Sequence, residues 1–305
     1  MADVHQLVLH HGRDVARDLV PANQKHLVDI AAEMLADDSQ TFNVTYSGFC
    51  LTGLPHRSLA DDEIWQRTNG RVTLTVTPGH LPYRGTVKQY GVPYGSRARL
   101  MLFYLQTEAI RRNSREVELG RSMADWLERM GIPLGGKAYK DVREQASRIS
   151  ACHLLFTWDA KPGADAYKKE GIVTEGIRLH DLDARQGALW DETVTLTETF
   201  WKALKEHPVP ISETALRLIG GKSQSIDILI WLSFRLHSLS KATFVPWPAL
   251  HLQFGSPTSA LKHFKPDFVN ATRTALAAYP QARVEVEQDG LMLYPSPPPI
   301  LRLEG

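Results

Sequence analysis

Apolar residues recur at helical spacing in two stretches of this chain, and each stretch is followed by the same succession of elements. In SRARLMLFYLQTEAIRRN (Ser96–Asn113), Leu100, Phe103/Tyr104, Thr107 and Ile110/Arg111 return every three to four residues. That spacing predicts an amphipathic helix with Ser96 as its N-cap. REVEL (Arg115–Leu119) alternates Val117 and Leu119 with Glu116 and Glu118, the period of a short half-buried strand. Ser122 then opens MADWLERMG, a helix stopped by Gly131, and KAYKDVREQASRIS reads as another helix. On that helix Ala138, Val142, Ala146 and Ile149 fall on one narrow face, while Lys137, Lys140, Arg143, Glu144 and Ser147 collect opposite, with Arg148 at the flank. CHLLFTW (Cys152–Trp158) is strand-like. Beyond a loop rich in Gly, Asp and Lys, IVTEGIRLH (Ile172–His180) is its expected return strand.

The second stretch repeats the order. From Ser225, SIDILIWLSFRLHSL predicts an apolar-faced helix, ATFVPW (Ala242–Trp247) a short strand, and PALHLQFG a helix begun by Pro248 and ended by Gly255. SALKHFKPDFVNATRTALAAYP reads as a long helix to Pro280, with Leu261, Phe264, Phe268, Ala271 and Ala275 on one face and Lys262, His263, Asn270 and Arg273 opposite. Pro266 falls inside this pattern, and periodicity alone leaves open whether it kinks the helix or starts it afresh. RVEVEQDGLMLYP closes the run, with Asp289-Gly290 as a two-residue hairpin turn. Trp126–Gly131 and Leu250–Gly255 align at the two helix-turn-helix corners, with few identities.

Helix, strand, helix, turn, helix, hairpin is the order of a winged helix, whose third helix enters the major groove while the hairpin wing touches the flanking backbone. The expected fold class is therefore α+β, with two tandem winged-helix domains (residues 84–206 and 207–305) behind an N-terminal α/β extension (residues 1–83) that includes the helix-like NQKHLVDIAAEMLADD. Expected DNA contacts are Lys137, Lys140, Arg143, Ser147 and Arg148 from the first reading helix, and Lys161, Lys168 and Lys169 from its wing loop. Lys262, His263, Asn270 and Arg273 are expected from the second helix. The second wing is acidic at Glu285, Glu287 and Asp289 and is expected to contribute little.

Charge sharpens this picture. The net charge of +1 hides a segregation: residues 84–150 carry 13 Lys/Arg against 7 Asp/Glu, residues 201–280 carry 9 against 4, and the remaining segments are acidic. Rows of Lys and Arg are commonly just solvated helix surface, but here each basic block contains one of the two reading helices.

GIPLGGKAY (Gly131–Tyr139) comes within one residue of the phosphate-cradling P-loop pattern, but Ala138 stands where Ser or Thr would ligate Mg²⁺. A helix also precedes Gly131 where a P-loop needs a strand. GGKS at Gly220–Ser223 would require its first glycine at Leu216. There is no His-apolar-His triplet to hold the metal of a nicking enzyme, and Asp37-Asp38, Asp61-Asp62-Glu63 and Asp181/Asp183 lie in turn-like surroundings unsuited to a two-metal site. No catalytic group, metal or cofactor is expected, and the chain reads as a non-enzyme. Cys50 and Cys152 suggest neither a disulfide framework nor a zinc site. No secretion signal or apolar membrane span is apparent, so a cytoplasmic protein is expected.

Three long stretches, YSGFCLTGLPHRSLADDEIWQRTNGRVTLTVTPG (Tyr46–Gly79), GVPYGSRARLMLFYLQTEAIRRNSREVELG (Gly91–Gly120) and FKPDFVNATRTALAAYPQARVEVEQDGLMLYPSPP (Phe264–Pro298), resemble the plasmid-encoded RepA family of bacterial replication initiators. The resemblance runs from about residue 45 to 300 and leaves out the preceding segment. It implies a pair of winged helices that bind repeats in double-stranded plasmid origin DNA, help open an AT-rich segment, and recruit the host initiator and replicative helicase. It also implies a homodimer that represses its own promoter. A winged-helix repressor without a replication role would share every DNA-contacting feature. A metal-dependent nicking enzyme is the third reading, weakened by the missing metal triplet.

Overall fold

The computed structural model describes residues 4–70, 72–83, 85–159, 165–170, 172–174, 193–256 and 259–300. They form two compact units: a split unit built from residues 1–43 with 209–305, and an inserted unit of residues 44–208.

The split unit begins with α1 (Val4–Leu19) and α2 (Lys25–Leu35), which pack together around Ala16, Val20 and Val28, with Val4, Leu7 and Val8 at the margin. Only α2 was expected from the sequence. α1 is broken at Gly12, whose φ of 74° an L-residue rarely adopts, and Arg13 and Arg17 on its second half both donate to Asp29 of α2. The chain passes into the inserted unit within β1 (Phe42–Tyr46).

Inside that unit come α3 (Ser47–Leu51), β2 (Trp65–Asn69), β3 (Val72–Thr77), β4 (Gly79–Tyr83), β5 (Thr86–Tyr90) and α4 (Gly95–Arg112). Next are β6 (Glu116–Glu118), α5 (Met123–Arg129), α6 (Gly136–Ala151), β7 (His153–Asp159), β8 (Asp165–Glu170), β9 (Thr193–Thr195) and α7 (Glu198–Glu206). α4 is buried without interruption from Ala98 to Thr107, as befits the central helix of a small domain. Thr107 sits among the apolar positions because its hydroxyl accepts the Val44 N–H at 2.8 Å, while Gln106 accepts that of Tyr46 at 2.7 Å. Tyr46, Phe49, Phe156 and Phe200 meet edge to face with ring centroids 5.1–6.5 Å apart.

The predicted order helix, strand, helix, turn, helix, hairpin is present here, but its pairing differs from the expected one. β7 returns through β8, not through Ile172–His180, and joins the antiparallel sheet β2-β3-β7-β8. Of the expected return strand, Ile172–Thr174 is described, and Val173 bridges to Leu196; residues 175–180 lie outside the described residues. β6 pairs with β9. β4 and β5 form a separate two-stranded ribbon.

The chain re-enters the split unit near β10 (Pro208–Ser212) and continues through α8 (Glu213–Ile219), α9 (Ser223–Arg235), β11 (Thr243–Pro246), α10 (Trp247–Phe254), α11 (Leu261–Ala277), β12 (Val284–Val286) and β13 (Gly290–Leu293). α2 packs on α8 and α11, and α9 packs on α11. The last three strands form one antiparallel sheet in the order β11-β13-β12. The hairpin turn centres on Gln288-Asp289, one residue before the Asp-Gly pair, because Glu287 N–H bonds to Gly290 C=O. Gly290 instead belongs to β13, where a side chain would overlap the Val245 carbonyl of β11.

Candidate nucleic-acid interface

The corner before α6 is built by local bonds. Ser122 caps α5 by accepting Asp125 N–H, and Asp125 in turn accepts Arg121 N–H and pairs with Arg129 at 2.9 Å. The Arg129 bonds hold the Asp125 carboxyl below the usual range. The helix ends in a Schellman motif: Ile132 N–H reaches Leu127 C=O, Gly131 N–H reaches Glu128 C=O, and Gly131 takes φ 64°. Residues 131–135 are therefore a helix-to-helix turn leading into α6, and they lack the strand entrance of a P-loop.

On α6, Ala138, Val142, Ala146 and Ile149 are all buried, as the periodicity predicted. Lys140 and Arg143 are exposed on the other side, and Ser147 is half-buried. Lys137 is exposed and pairs with Asp141 at 2.5 Å; such a surface pair is worth at most about 1 kcal/mol, so a phosphate can compete for the amine.

Arg148 corrects the expectation of a DNA contact. Its side chain is only 8% exposed and donates to Asp61 Oδ1 at 3.0 Å, Glu144 Oε1 at 3.1 Å and Val92 C=O at 3.3 Å, with its guanidinium 5.2 Å from the centre of the Tyr94 ring. Asp61 also accepts Gly91 N–H, while its backbone carbonyl accepts Gln89 Nε2. The acidic loop at Asp61 thus serves as an anchor for α6. Two glycines complete the attachment: a methyl group on Gly79 would overlap the Ala151 carbonyl, and one on Gly91 would meet Arg148 and Asp61. Both ends of the β4–β5 ribbon are thereby pressed against the last turns of α6.

Lys168 and Lys169 fall within β8, paired opposite Phe156 and Leu155, and not in a loop; Lys161 lies outside the described residues.

In the split unit, α10 enters against the hairpin turn, with Trp247 N–H bonded to Asp289 C=O and its indole N–H to Gln288 C=O. α11 buries Phe264, Phe268 and Ala275, as expected, together with Thr272, Thr274 and Ala277; Leu261 and Ala271 are half-buried. The helix runs through Pro266, so the proline neither starts nor ends it. Opposite lie exposed Lys262, His263 and Asn270 and half-buried Arg273, whose guanidinium reaches Asn270 Oδ1 at 3.4 Å. Glu285 on the acidic hairpin accepts Tyr294 OH at 2.8 Å.

Each unit thus offers a helix with its apolar face packed and a polar face, carrying Lys and Arg side chains, turned to solvent. Among the described residues no three His, Cys, Asp or Glu side chains gather as a metal site, and no helix is long and apolar enough to cross a membrane.

A family model described as plasmid-encoded RepA protein matches residues 92–246, half of the chain. Among solved structures, domains 2 and 3 of RctB are similar at a TM-score of 0.51, with 10% identity over 79% of this chain and 93% of that one. A second structure of RctB domains 2-3 scores 0.43, with 11% identity over 80% and 94%. No curated protein sequence matches. At these identities the first likeness concerns the fold alone.

Proposed function

We propose, from the premise that this chain belongs to the plasmid-encoded RepA family, that it initiates plasmid replication by binding repeated duplex sequences at the origin through two winged helices. The observation that carries this reading is the exposure of Lys140 and Arg143 on α6 while the opposite face, Ala138 to Ile149, is locked in the core. A helix so held can be set into a major groove without unfolding anything, and two long donors on one turn can reach base edges. α11 repeats the arrangement, with Asn270 suited to adenine and Arg273 beside it. In this reading the chain acts by binding, without catalysis, opens an AT-rich segment, recruits the host initiator and replicative helicase, and as a dimer represses its own promoter.

Footprinting on a plasmid that carries the gene tests the reading. Protection of tandem direct repeats beside an AT-rich stretch is expected; protection of a single promoter palindrome alone would assign the protein to repression. Log affinity should fall with log salt by a slope of about −0.9 per neutralised phosphate. Arg143→Ala should cost roughly 1–3 kcal/mol on the preferred site and relax preference at one position. If Arg143→Ala and Arg273→Ala both leave the ranking of mutated sites unchanged, these two faces do not read the groove.

A further inference from the structure

We infer that the β4–β5 hairpin is a third DNA-contacting element, a ribbon that runs beside the duplex and sets Pro82 and Val87 into the minor groove adjoining the bases faced by α6. This rests on the proposed role of α6 as a major-groove helix.

A two-stranded hairpin is marginal in water unless a helix supports it, so only the part of this ribbon that lies on α6 is held by packing. β5 is exposed at Thr86, Val87, Lys88 and Gln89 in succession, which means both of its faces meet solvent. The ribbon packs on α6. Gly79 and Gly91 fix its base against Ala151 and Arg148, so the ribbon and α6 move as one body.

The register sorts its side chains. Pro82 lies directly opposite Val87 and His80 opposite Gln89 on one face; Leu81 lies opposite Lys88 and Tyr83 opposite Thr86 on the other. On the second face Lys88 Nζ stands 5.3 Å from the Tyr83 ring centre and 4.8 Å from that of Tyr90, which holds the amine over two aromatic surfaces. On the first face Pro82 and Val87 are both exposed, and Val87, at 71%, is the most exposed large apolar side chain among the described residues. An exposed aliphatic pair near a ribbon tip adds nothing to a core. It has the shape of the apolar wedges that minor-groove proteins insert between base steps to kink a duplex.

Charge at the free part of the ribbon favours DNA as the occupant over another protein surface. From Gly79 to Gly91 the sequence contains no Asp or Glu and carries Lys88, and the acidic loop at Asp61 meets the ribbon only near its base, through Gln89 and Gly91. A base step partly unstacked by such a wedge would also lower the cost of opening the duplex beside the bound site.

The test uses the full chain and duplexes it selects from a random-sequence pool. Hydroxyl-radical cleavage reports the minor groove, guanine methylation interference reports the major groove, and end-to-end fluorescence transfer reports bending. Minor-groove protection is expected beside the methylation-sensitive bases. Pro82→Ala with Val87→Ser should erase that protection and the bend, keep the methylation pattern and weaken binding about tenfold. Lys88→Gln should reduce the salt slope by about 1. All three side chains are exposed, so melting temperatures should match the unmodified chain. A double variant with unchanged protection, bend and affinity overturns this inference and leaves the α6 reading standing. Loss of self-association in sedimentation with DNA binding intact would overturn it in favour of a second copy, and loss of single-strand binding alone would overturn it in favour of unpaired DNA. A chain that selects no duplex overturns the proposed function and this inference together.

Discussion

Phe268→Ala is expected to destabilise the split unit by about 3–5 kcal/mol, the usual cost of removing a buried ring. Phe268 is fully buried, stacked on Phe264 with centroids 4.9 Å apart and tilted against Phe254 at 5.2 Å, and the Trp247 ring meets it edge-on at 6.3 Å. Two neighbours on α10 and one on α11 itself cannot all move inward, so much of the void persists. The same contact seats α11, which carries Asn270 and Arg273 on the turn after Phe268. Hydrogen exchange resolved by peptide should therefore lose protection across α10, α11 and the β12–β13 hairpin, and discrimination among DNA sites attributed to Asn270 should weaken. A loss below 1 kcal/mol would mean that this ring is not the centre of the packing.

Arg148→Ala is expected to cost about 2–3 kcal/mol. Breaking a fully buried ion pair costs more, about 3–5 kcal/mol, but here Asp61 and Glu144 retain 57% and 37% of their exposure and water can take over part of their solvation. The Val92 carbonyl loses a donor, which adds to the penalty. Arg148→Lys should recover only part of the loss, because a single ammonium cannot reach Asp61, Glu144 and Val92 in the fork geometry of a guanidinium. Chemical denaturation ranks the variants, with Asp61→Asn expected to be milder than Arg148→Ala. If Arg148→Ala left stability unchanged and lowered DNA affinity with a reduced salt slope, the side chain would be a phosphate contact after all, as its place on the helical wheel suggested.

That contrast marks what the sequence could disclose. The faces of α6 and α11 were legible because helix period alone decides which of Ala138, Val142, Phe264 and Phe268 turn inward. Arg148 lies at the flank of the wheel, and its fate depends on Asp61, 87 residues away, which no local pattern reports. The partner of β7 was misplaced because the Lys-rich segment Asp165–Glu170 lacks an apolar signal, whereas Ile172 and Val173 carry one that is used in a bridge to Leu196. Asp289-Gly290 had the composition of a turn, yet Gly290 is needed for close approach to β11. The β4–β5 ribbon escaped notice because an element exposed on both faces has no hydrophobic alternation to detect.

The split unit also imposes an order on synthesis. His5 Nε2 lies 3.0 Å from the carbonyl of Ala277, 272 residues later, and the apolar side of α2, where α1 packs on Val28 but Leu27 and Ile30 are buried as well, lies in a unit completed by residues 209–305. A ribosome releases α1 and α2 first, then the whole inserted unit, and only then the helices α8 and α11 on which α2 packs. At about 5–20 residues per second, that apolar face waits for on the order of ten to fifty seconds. During that interval the nascent chain offers holding chaperones a target that the finished protein no longer presents.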